Sequence, residues 1–112
     1  MSVPTLSLEP PDAGALTVDQ TTLEVWYGRR RLPLTPMEAR LLAVMMERPG
    51  DVVLTQSLAR ELWPGHALQP DEADRRLYVH VARLRGKLPS AWAYKIARMR
   101  KRGYVLLTNQ PG

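Results

Sequence analysis

The strongest chemical signal in this sequence is a group of ten basic residues between positions 75 and 102, a stretch without aspartate or glutamate. Residues 1–28 show the reverse, with four acids and no base. Clustered guanidinium and ammonium groups attract phosphates, so the asymmetry favours a surface that binds a polyanion, above all nucleic acid. The alternative is a solvated basic surface, although such surfaces normally mix both signs of charge. The ten residues are Arg75, Arg76, Arg83, Arg85, Lys87, Lys95, Arg98, Arg100, Lys101 and Arg102.

Residue types that build catalytic and metal sites are scarce. The chain has no cysteine and two histidines, His66 and His80, and neither histidine has a partner at metal-ligand spacing. There is no phosphate-cradling glycine loop and no pair of acids in an apolar setting. We therefore expect no catalysis, no metal site, no cofactor and no small-molecule ligand.

The size and composition are those of a single globular domain over residues 1–112. Hydrophobic residues make up 45% and charged residues 24% of the chain, which is ordinary for such a domain. No apolar run approaches the ~20 residues that span a bilayer, and the N-terminus has no signal-peptide pattern. We expect a cytoplasmic protein without a membrane partner, associated with the nucleoid if it binds DNA.

The residues that precede position 35 predict a small antiparallel sheet, over about residues 5–34. Segments 5–9, 15–19 and 22–27 alternate in polarity or are rich in threonine, valine, leucine and aromatic residues, as strands are. Residues 28–34 fit the return strand of a hairpin.

Three helices are predicted within residues 35–88. Thr35, Pro36 and Glu38 have the types and spacing of a capping box with proline at the first helical position. The first helix should end at Pro49-Gly50. These signals fix the start of a helical core directly after the sheet.

The second and third helices follow a short apolar link at residues 52–54. Thr55 is the best cap for a second helix of about two turns, and residues 64–72 form a loop. A third helix is predicted over residues 72–88, with acids at its positive N-terminal end. It would carry half of the basic stretch.

The third helix has two distinct faces when its residues are placed ~100° apart. Its buried stripe consists of Leu77, Val81, Leu84 and Leu88. The opposite face carries Arg75, Val79, Ala82, Arg83 and Gly86, flanked by Arg76 and Lys87 on one side and by Tyr78 and Arg85 on the other. Small residues between arginines suit a helix in the DNA major groove, where valine can touch a thymine methyl. The alternative is an amphipathic helix with a basic solvent face, but such a face would lack i,i+4 acidic partners.

The last part of the chain, residues 95–107, predicts two strands around a tight basic turn. Gly103 is expected to supply the positive φ that such turns often need. Arg98 and the turn residues would form a second basic contact, whereas Lys95 is assigned to neither contact.

These elements and several motifs resemble the winged-helix output domain of bacterial OmpR/PhoB-type response regulators of two-component systems. Residues 34–42, LTPMEARLL, are similar to the family's LTPKEFRLL opening of the first helix. Residues 79–88, VHVARLRGKL, are similar to its VHIxxLRxKL. Residues 48–53, 62–63 and 103–106 look like its PGxVV link, its Val-Trp helix end and its GYRL wing ending. The resemblance covers roughly residues 7 to 107.

The resemblance implies an α+β winged helix-turn-helix with an N-terminal antiparallel sheet, three helices and a C-terminal β-hairpin wing. It implies a sequence-specific transcriptional regulator that binds duplex DNA. The third helix would read the major groove, with Arg75 on a phosphate, and the wing would contact the backbone and the neighbouring minor groove through Arg100. The expected DNA-binding residues are Trp63, Arg75, Arg76, Val79, Ala82, Arg83, Arg85, Arg98, Arg100, Lys101 and Arg102.

The resemblance also implies protein partners. The 64–72 loop corresponds to the segment that contacts RNA polymerase in family activators, and its candidate residues are Pro64, Gly65, His66, Gln69, Asp71 and Glu72. Tandem head-to-tail homodimers on direct repeats are implied as well. The alternative function is a protein-interaction module that reuses this fold, with the acidic N-terminal sheet and the 64–72 loop as its working faces.

Four positions depart from the family pattern. Tyr78 stands where the family usually has aspartate and Ala82 where arginine is frequent, so no base preference is carried over. Lys101 replaces a wing glycine, and Leu54 replaces the serine cap of the second helix. The chain also contains no receiver domain, so we expect no phosphorylation switch within it.

Overall fold

The N-terminal part of the molecule is a four-stranded antiparallel sheet in the computed structural model, which describes residues 5–107. Its strands, in spatial order, are β1 (Thr5–Leu8), β2 (Leu16–Asp19), β3 (Glu24–Tyr27) and β4 (Arg30–Leu32). Alternating residues point to the core, so that Leu16 and Val18 are fully buried while their neighbours are half-exposed. The predicted N-terminal antiparallel sheet is confirmed.

Helix α1 (Pro36–Met46) begins with the predicted capping box. The backbone N–H of Glu38 donates to Thr35 Oγ1 at 3.2 Å, and the Glu38 carboxylate accepts from the Thr35 backbone N–H at 2.9 Å. Two backbone donors that the helix itself cannot satisfy are thereby bonded. Leu41, Leu42 and Met45 turn toward the core and are fully buried.

Helix α2 (Thr55–Leu62) does not start as predicted. The N-cap position belongs to Leu54, with no side-chain capping bond, so Thr55 is the first helical residue and not the cap. Its backbone N–H and its hydroxyl both donate to the carbonyl of Arg102, at 3.0 and 3.4 Å. The threonine therefore joins the start of α2 to the C-terminal hairpin.

Helix α3 (Pro70–Lys87) starts two residues earlier than predicted. Pro70 occupies the first turn after an extended Gln69, and the fixed φ of proline is preorganised for that position. Asp71 and Glu72 therefore lie in the first turn of the helix, not in the loop assigned to them. The predicted apolar stripe of α3 is confirmed, because Leu77, Val81, Leu84 and Leu88 are all buried.

The three helices predicted within residues 35–88 are present, and a fourth, α4 (Ser90–Ala93), lies where the sequence predicted a connector. Its four residues give too short a pattern to show a helical period. Trp92 is buried, and its indole Nε1–H donates to the Gly14 carbonyl at 2.9 Å. Burial of this side chain against the N-terminal segment accounts for the compact turn.

The C-terminal hairpin belongs to a three-stranded sheet. Residues 52–54, predicted as a link, form strand β5 (Val52–Leu54), which pairs with β7 (Gly103–Leu106); β7 also pairs with β6 (Ile96–Met99). We call β6, β7 and their turn the wing. Strand β5 anchors one edge of the wing to the segment before α2.

The conformation of the wing turn differs from the prediction. Lys101 adopts the positive φ, 63°, and Gly103 does not. Gly103 is required for a different reason, because a Cβ there would lie 1.9 Å from the Val53 carbonyl oxygen. Glycine thus permits the close approach of β5 and β7.

The two sheets and the helices share one hydrophobic cluster, which includes Leu16 from the first sheet, Leu77 from α3 and Leu106 from the wing. Within residues 5–107, no helix is long and apolar enough to cross a bilayer.

Candidate nucleic-acid interface

The outward face of α3 is exposed as the sequence predicts. Arg75, Ala82 and Arg83 are exposed, and Val79 is 44% exposed. Gly86 faces open space, since a Cβ there would meet no atom within 4 Å. Two arginines separated by small side chains thus form a surface that a nucleic-acid groove can approach closely.

The wing tip is a second exposed basic surface. Arg100, Lys101 and Arg102 are all exposed. Within residues 5–107, these side chains and those of Arg75 and Arg83 form no ion pair. Their charges are therefore available to an external anion. We call these five residues the free basic set.

Four other bases of the stretch are paired with acids. The prediction that the basic face of α3 lacks an i,i+4 acid is wrong, because Arg76 bonds Glu72 at 3.3 Å. The sequence itself contained this signal, since both residues lie on the predicted helix. The other three pairs are Lys87–Glu38, Lys95–Asp12 and Arg98–Asp74, at 2.8, 3.0 and 3.1 Å.

Trp63, one of the expected DNA-binding residues, lies at the end of α2 against α3. The Arg76 guanidinium carbon is 5.4 Å from the centroid of its ring, and the His80 ring centroid lies 5.5 Å away. Burial, reinforced by the nearby Arg83 and Arg76 charges and opposed by Glu38, lowers the pKa of His80 below its ordinary value of 6.5. The imidazole is therefore neutral at physiological pH and serves as a packing group.

The Lys87–Glu38 pair attaches the last turn of α3 to the first turn of α1. The Glu38 side chain is 3% exposed and that of Lys87 34%. Burial raises the pKa of Glu38, but the Lys87 ammonium and the Thr35 capping bonds outweigh it, so that the net pKa lies below its ordinary 4.5. The pair fixes α3 in the core and removes Lys87 from the groove-facing surface.

Lys95 lies away from both basic surfaces. Its side chain is 8% exposed, and its ammonium donates to both carboxylate oxygens of Asp12 at 3.0 Å. The same ammonium lies 5.9 Å from the Trp92 ring centroid. Lys95 thus joins the wing to the N-terminal segment, in agreement with its exclusion from the predicted contacts.

Arg85 of α3 and Arg98 of β6 were both predicted to contact DNA. In the structure each side chain reaches across to the other element. The Arg85 guanidinium donates to the backbone carbonyl of Ile96. The Arg98 guanidinium donates to Asp74 and lies over the Tyr78 ring. Both side chains therefore connect the helix to the wing in the structure.

The predicted partner-binding segment is divided by the structure. Pro64, Gly65, His66 and Gln69 lie in the α2–α3 loop and are exposed. Asp71 and Glu72 lie in α3, and Glu72 is engaged by Arg76. The loop is therefore shorter and less acidic than the sequence predicted.

Among the described residues, no cluster of three or more histidines, cysteines or carboxylates could hold a metal ion. The arrangement that is assembled consists of cationic side chains on a protruding helix and hairpin, which suits contact with a phosphate backbone.

An N-terminal sheet, an exposed basic helix held in a helical core and a basic hairpin together define a winged-helix domain. Residues 28–106 match the family described as "Transcriptional regulatory protein, C terminal". The chain belongs to this family, the OmpR/PhoB-type DNA-binding domains of response regulators. The predicted winged-helix fold is confirmed, and the family is one of transcription-factor domains.

Several relatives in sequence carry names of transcriptional regulators. Protein RcaC of Microchaete diplosiphon is 39% identical over 95 residues, which cover 83% of this chain and 14% of RcaC. The DNA-binding dual master transcriptional regulator RpaA of Synechocystis is 33% identical over 76 residues, covering 67% of this chain and 30% of RpaA. The chain spans 14–36% of the length of the first curated relatives that it matches.

Solved structures share the fold over nearly the whole chain. The DNA-binding domain of CpxR from Escherichia coli superposes with a TM-score of 0.77 at 29% identity, covering 93% of this chain and 98% of that domain. The AdeR DNA-binding domain, solved in complex with an intercistronic region, superposes with a TM-score of 0.67 at 25% identity. The match covers 83% of this chain and 94% of the AdeR domain.

Proposed function

We propose that this domain binds duplex DNA in a sequence-specific manner as part of a transcriptional regulator. Helix α3 enters the major groove, and the wing contacts the backbone and the adjacent minor groove. In this arrangement Arg83 and Val79 meet base edges, while Arg75 and the wing tip meet phosphates and the minor groove.

The observation that carries the proposal is the free basic set. Five cationic side chains that have no acidic partner within residues 5–107 lie on two protruding elements. Both elements pack on the same hydrophobic cluster, through Leu77 of α3 and through Ile96 and Leu106 of the wing. Small residues between the arginines of α3 allow close approach to base edges. The DNA complex of the related AdeR domain supports the same ligand.

The proposal is tested first by selection of target duplexes from random-sequence DNA. A sequence-specific domain enriches a motif, whereas a flat selection would leave only a non-specific binder. Affinity for the selected duplex is then measured by fluorescence anisotropy for the wild type and for Arg83→Ala. Loss of one bidentate base contact should weaken binding to the selected duplex by about 10- to 100-fold and relax preference at one position.

The matched control is Arg30→Ala. Arg30 is also exposed and forms no ion pair within the described residues, but it lies on β4 of the N-terminal sheet. The control removes the same charge and should change binding by less than about threefold. Equal losses for Arg83→Ala and Arg30→Ala would show that net charge, rather than α3, determines binding.

RNA polymerase contact is a second role for the exposed α2–α3 loop, and the resemblance to family activators motivates it. Polymerase retention is compared between the wild-type domain and a variant with Arg75, Arg83 and Arg100 neutralised to glutamine. Retention by the variant would support a separate protein-binding face and the interaction-module alternative, whereas joint loss of DNA and polymerase would remove that support. Cooperative binding to two direct repeats, absent on one, would support a tandem homodimer.

A further inference from the structure

Two residues of α3 hold Arg98 of the wing from the same side. The Arg98 guanidinium donates to Asp74 Oδ2 at 3.1 Å, and its carbon lies 5.5 Å from the centroid of the Tyr78 ring. Asp74 and Tyr78 are four residues apart and so share one flank of the helix. A carboxylate and an aromatic ring thus provide two different attractions for one guanidinium.

The same flank of α3 contacts β6 at a second point. Arg85 lies three turns after Asp74, and its guanidinium donates to the backbone carbonyl of Ile96. Beneath these contacts, Tyr104 pairs with Arg98 in the β6–β7 ladder and is 1% exposed. Strand β6 is therefore held along α3 by contacts near both of its ends.

We propose that Asp74 and Tyr78 are positioning residues that clamp Arg98 and so set the angle between α3 and the wing before DNA is bound. The inference rests on the proposed two-groove DNA contact. A wing held in advance loses less conformational freedom on binding, and it fixes the distance between the major-groove and minor-groove contacts. Arg98 then acts as a link between helix and wing and not as the backbone contact that the sequence indicated.

The contacts of the clamp are weak enough to be removed without unfolding the domain. The Arg98 and Asp74 side chains are 40% and 45% exposed, and exposed ion pairs and cation–π contacts are each weak. Breaking them leaves the buried core untouched, so the variants should fold. Loss of the clamp should weaken binding to a selected duplex by about fivefold.

The test uses Asp74→Asn, Arg98→Gln and the charge-swapped double variant D74R/R98D, bound to the selected duplex. Dimethyl sulfate methylation of guanine N7 reports the major-groove contact, and hydroxyl-radical cleavage reports the backbone and minor groove. Both single variants should keep the major-groove protection and lose the protection due to the wing. The swapped variant should restore it.

The matched control is Asp71→Asn, which removes the same charge from α3. Asp71 is exposed and forms no ion pair within residues 5–107, so the wing protection should remain. If the clamp variants only destabilised the fold, the major-groove protection and the wing protection would weaken equally.

Two results would overturn the inference. One is tighter binding by Asp74→Asn with intact wing protection, which would make Asp74 a competitor for Arg98. The other concerns the slope of log affinity against log salt. If its magnitude falls by about one in Arg98→Gln but not in Asp74→Asn, Arg98 is a phosphate contact. Failure of the wild type to bind any duplex would instead refute the proposed function.

Discussion

Removal of the Lys87 ammonium should destabilise the domain in a pH-dependent manner. In Lys87→Met the carboxylate of Glu38, 3% exposed, loses the donor that lies 2.8 Å away. Breaking a fully buried pair costs about 3–5 kcal/mol. We expect about 2 kcal/mol here, because the lysine is partly solvated and the Thr35 N–H still bonds the carboxylate. For a domain of this size, that lowers Tm by about 8 °C.

The pH dependence follows from the lowered pKa of Glu38. The pair stabilises the wild type fully above the ordinary carboxyl pKa of 4.5, and this contribution is lost as pH falls through the lower folded value. Thermal melts followed by circular dichroism at pH 7 should therefore show the full deficit of Lys87→Met, and melts at about pH 3 should show a smaller one.

Two further variants complete the test. The double variant E38Q/K87M should recover more than half of the deficit at pH 7, because no uncompensated charge remains buried. Arg31→Met, which breaks the exposed pair with Glu24, should cost less than about 1 kcal/mol. Equal deficits at both pH values, or a double variant no better than Lys87→Met, would refute the reasoning.

Other perturbations act on the wing, on α3 and on its histidine. Gly103→Ala should destabilise by about 3 kcal/mol in urea unfolding, because its Cβ would overlap the Val53 carbonyl oxygen. Gly86→Ala, in open space on the same α3 face that should meet DNA, should instead stabilise by about 0.5–1 kcal/mol; a loss of stability there would contradict the structure. The pKa of His80 is lowered in the folded protein, so the folded state favours the neutral imidazole. The stability that this provides is complete above pH 6.5, the ordinary histidine pKa, and is lost as pH falls through the lower folded pKa. Urea midpoints at about pH 5.5 and 7.5 should therefore differ more for the wild type than for His80→Gln, and equal differences would exclude this role.

Local signals in the sequence predicted the helical core and its exposed face. The capping box at Thr35 and Glu38 involves residues three apart, and the buried stripe of α3 follows the 3.6-residue period. Both depend on near neighbours in the chain, which a single sequence displays. The strand pattern and basic turn of residues 95–107 also predicted the hairpin, and the family resemblance identified it as a wing.

Contacts between distant residues could not be predicted in this way. Strand β5 has three residues, and a short apolar run identifies a strand only once its partner is known. The pairs Lys87–Glu38 and Lys95–Asp12 join residues 49 and 83 positions apart. The acids that neutralise part of the basic stretch lie outside it, so charge along the chain overstated the charge available to DNA.

The turn of the wing shows a different limit. A Gly that follows basic residues predicted a positive φ at Gly103, yet the left-handed residue is Lys101. The need for glycine at position 103 comes from β5, whose proximity appears only in three dimensions. The sequence thus predicted that position 103 needs glycine, but for the wrong physical reason.

We propose above all that the free basic set of α3 and the wing tip binds the phosphate backbone and base edges of duplex DNA. The direct test is the slope of log affinity against log salt for the selected duplex, measured for the wild type and for the double variant R75Q/R100Q. Loss of the Arg75 phosphate contact and of the Arg100 contact in the minor groove should reduce the magnitude of the slope by about 0.9 to 1.8. An unchanged slope, or wild-type binding independent of salt, would contradict the claim.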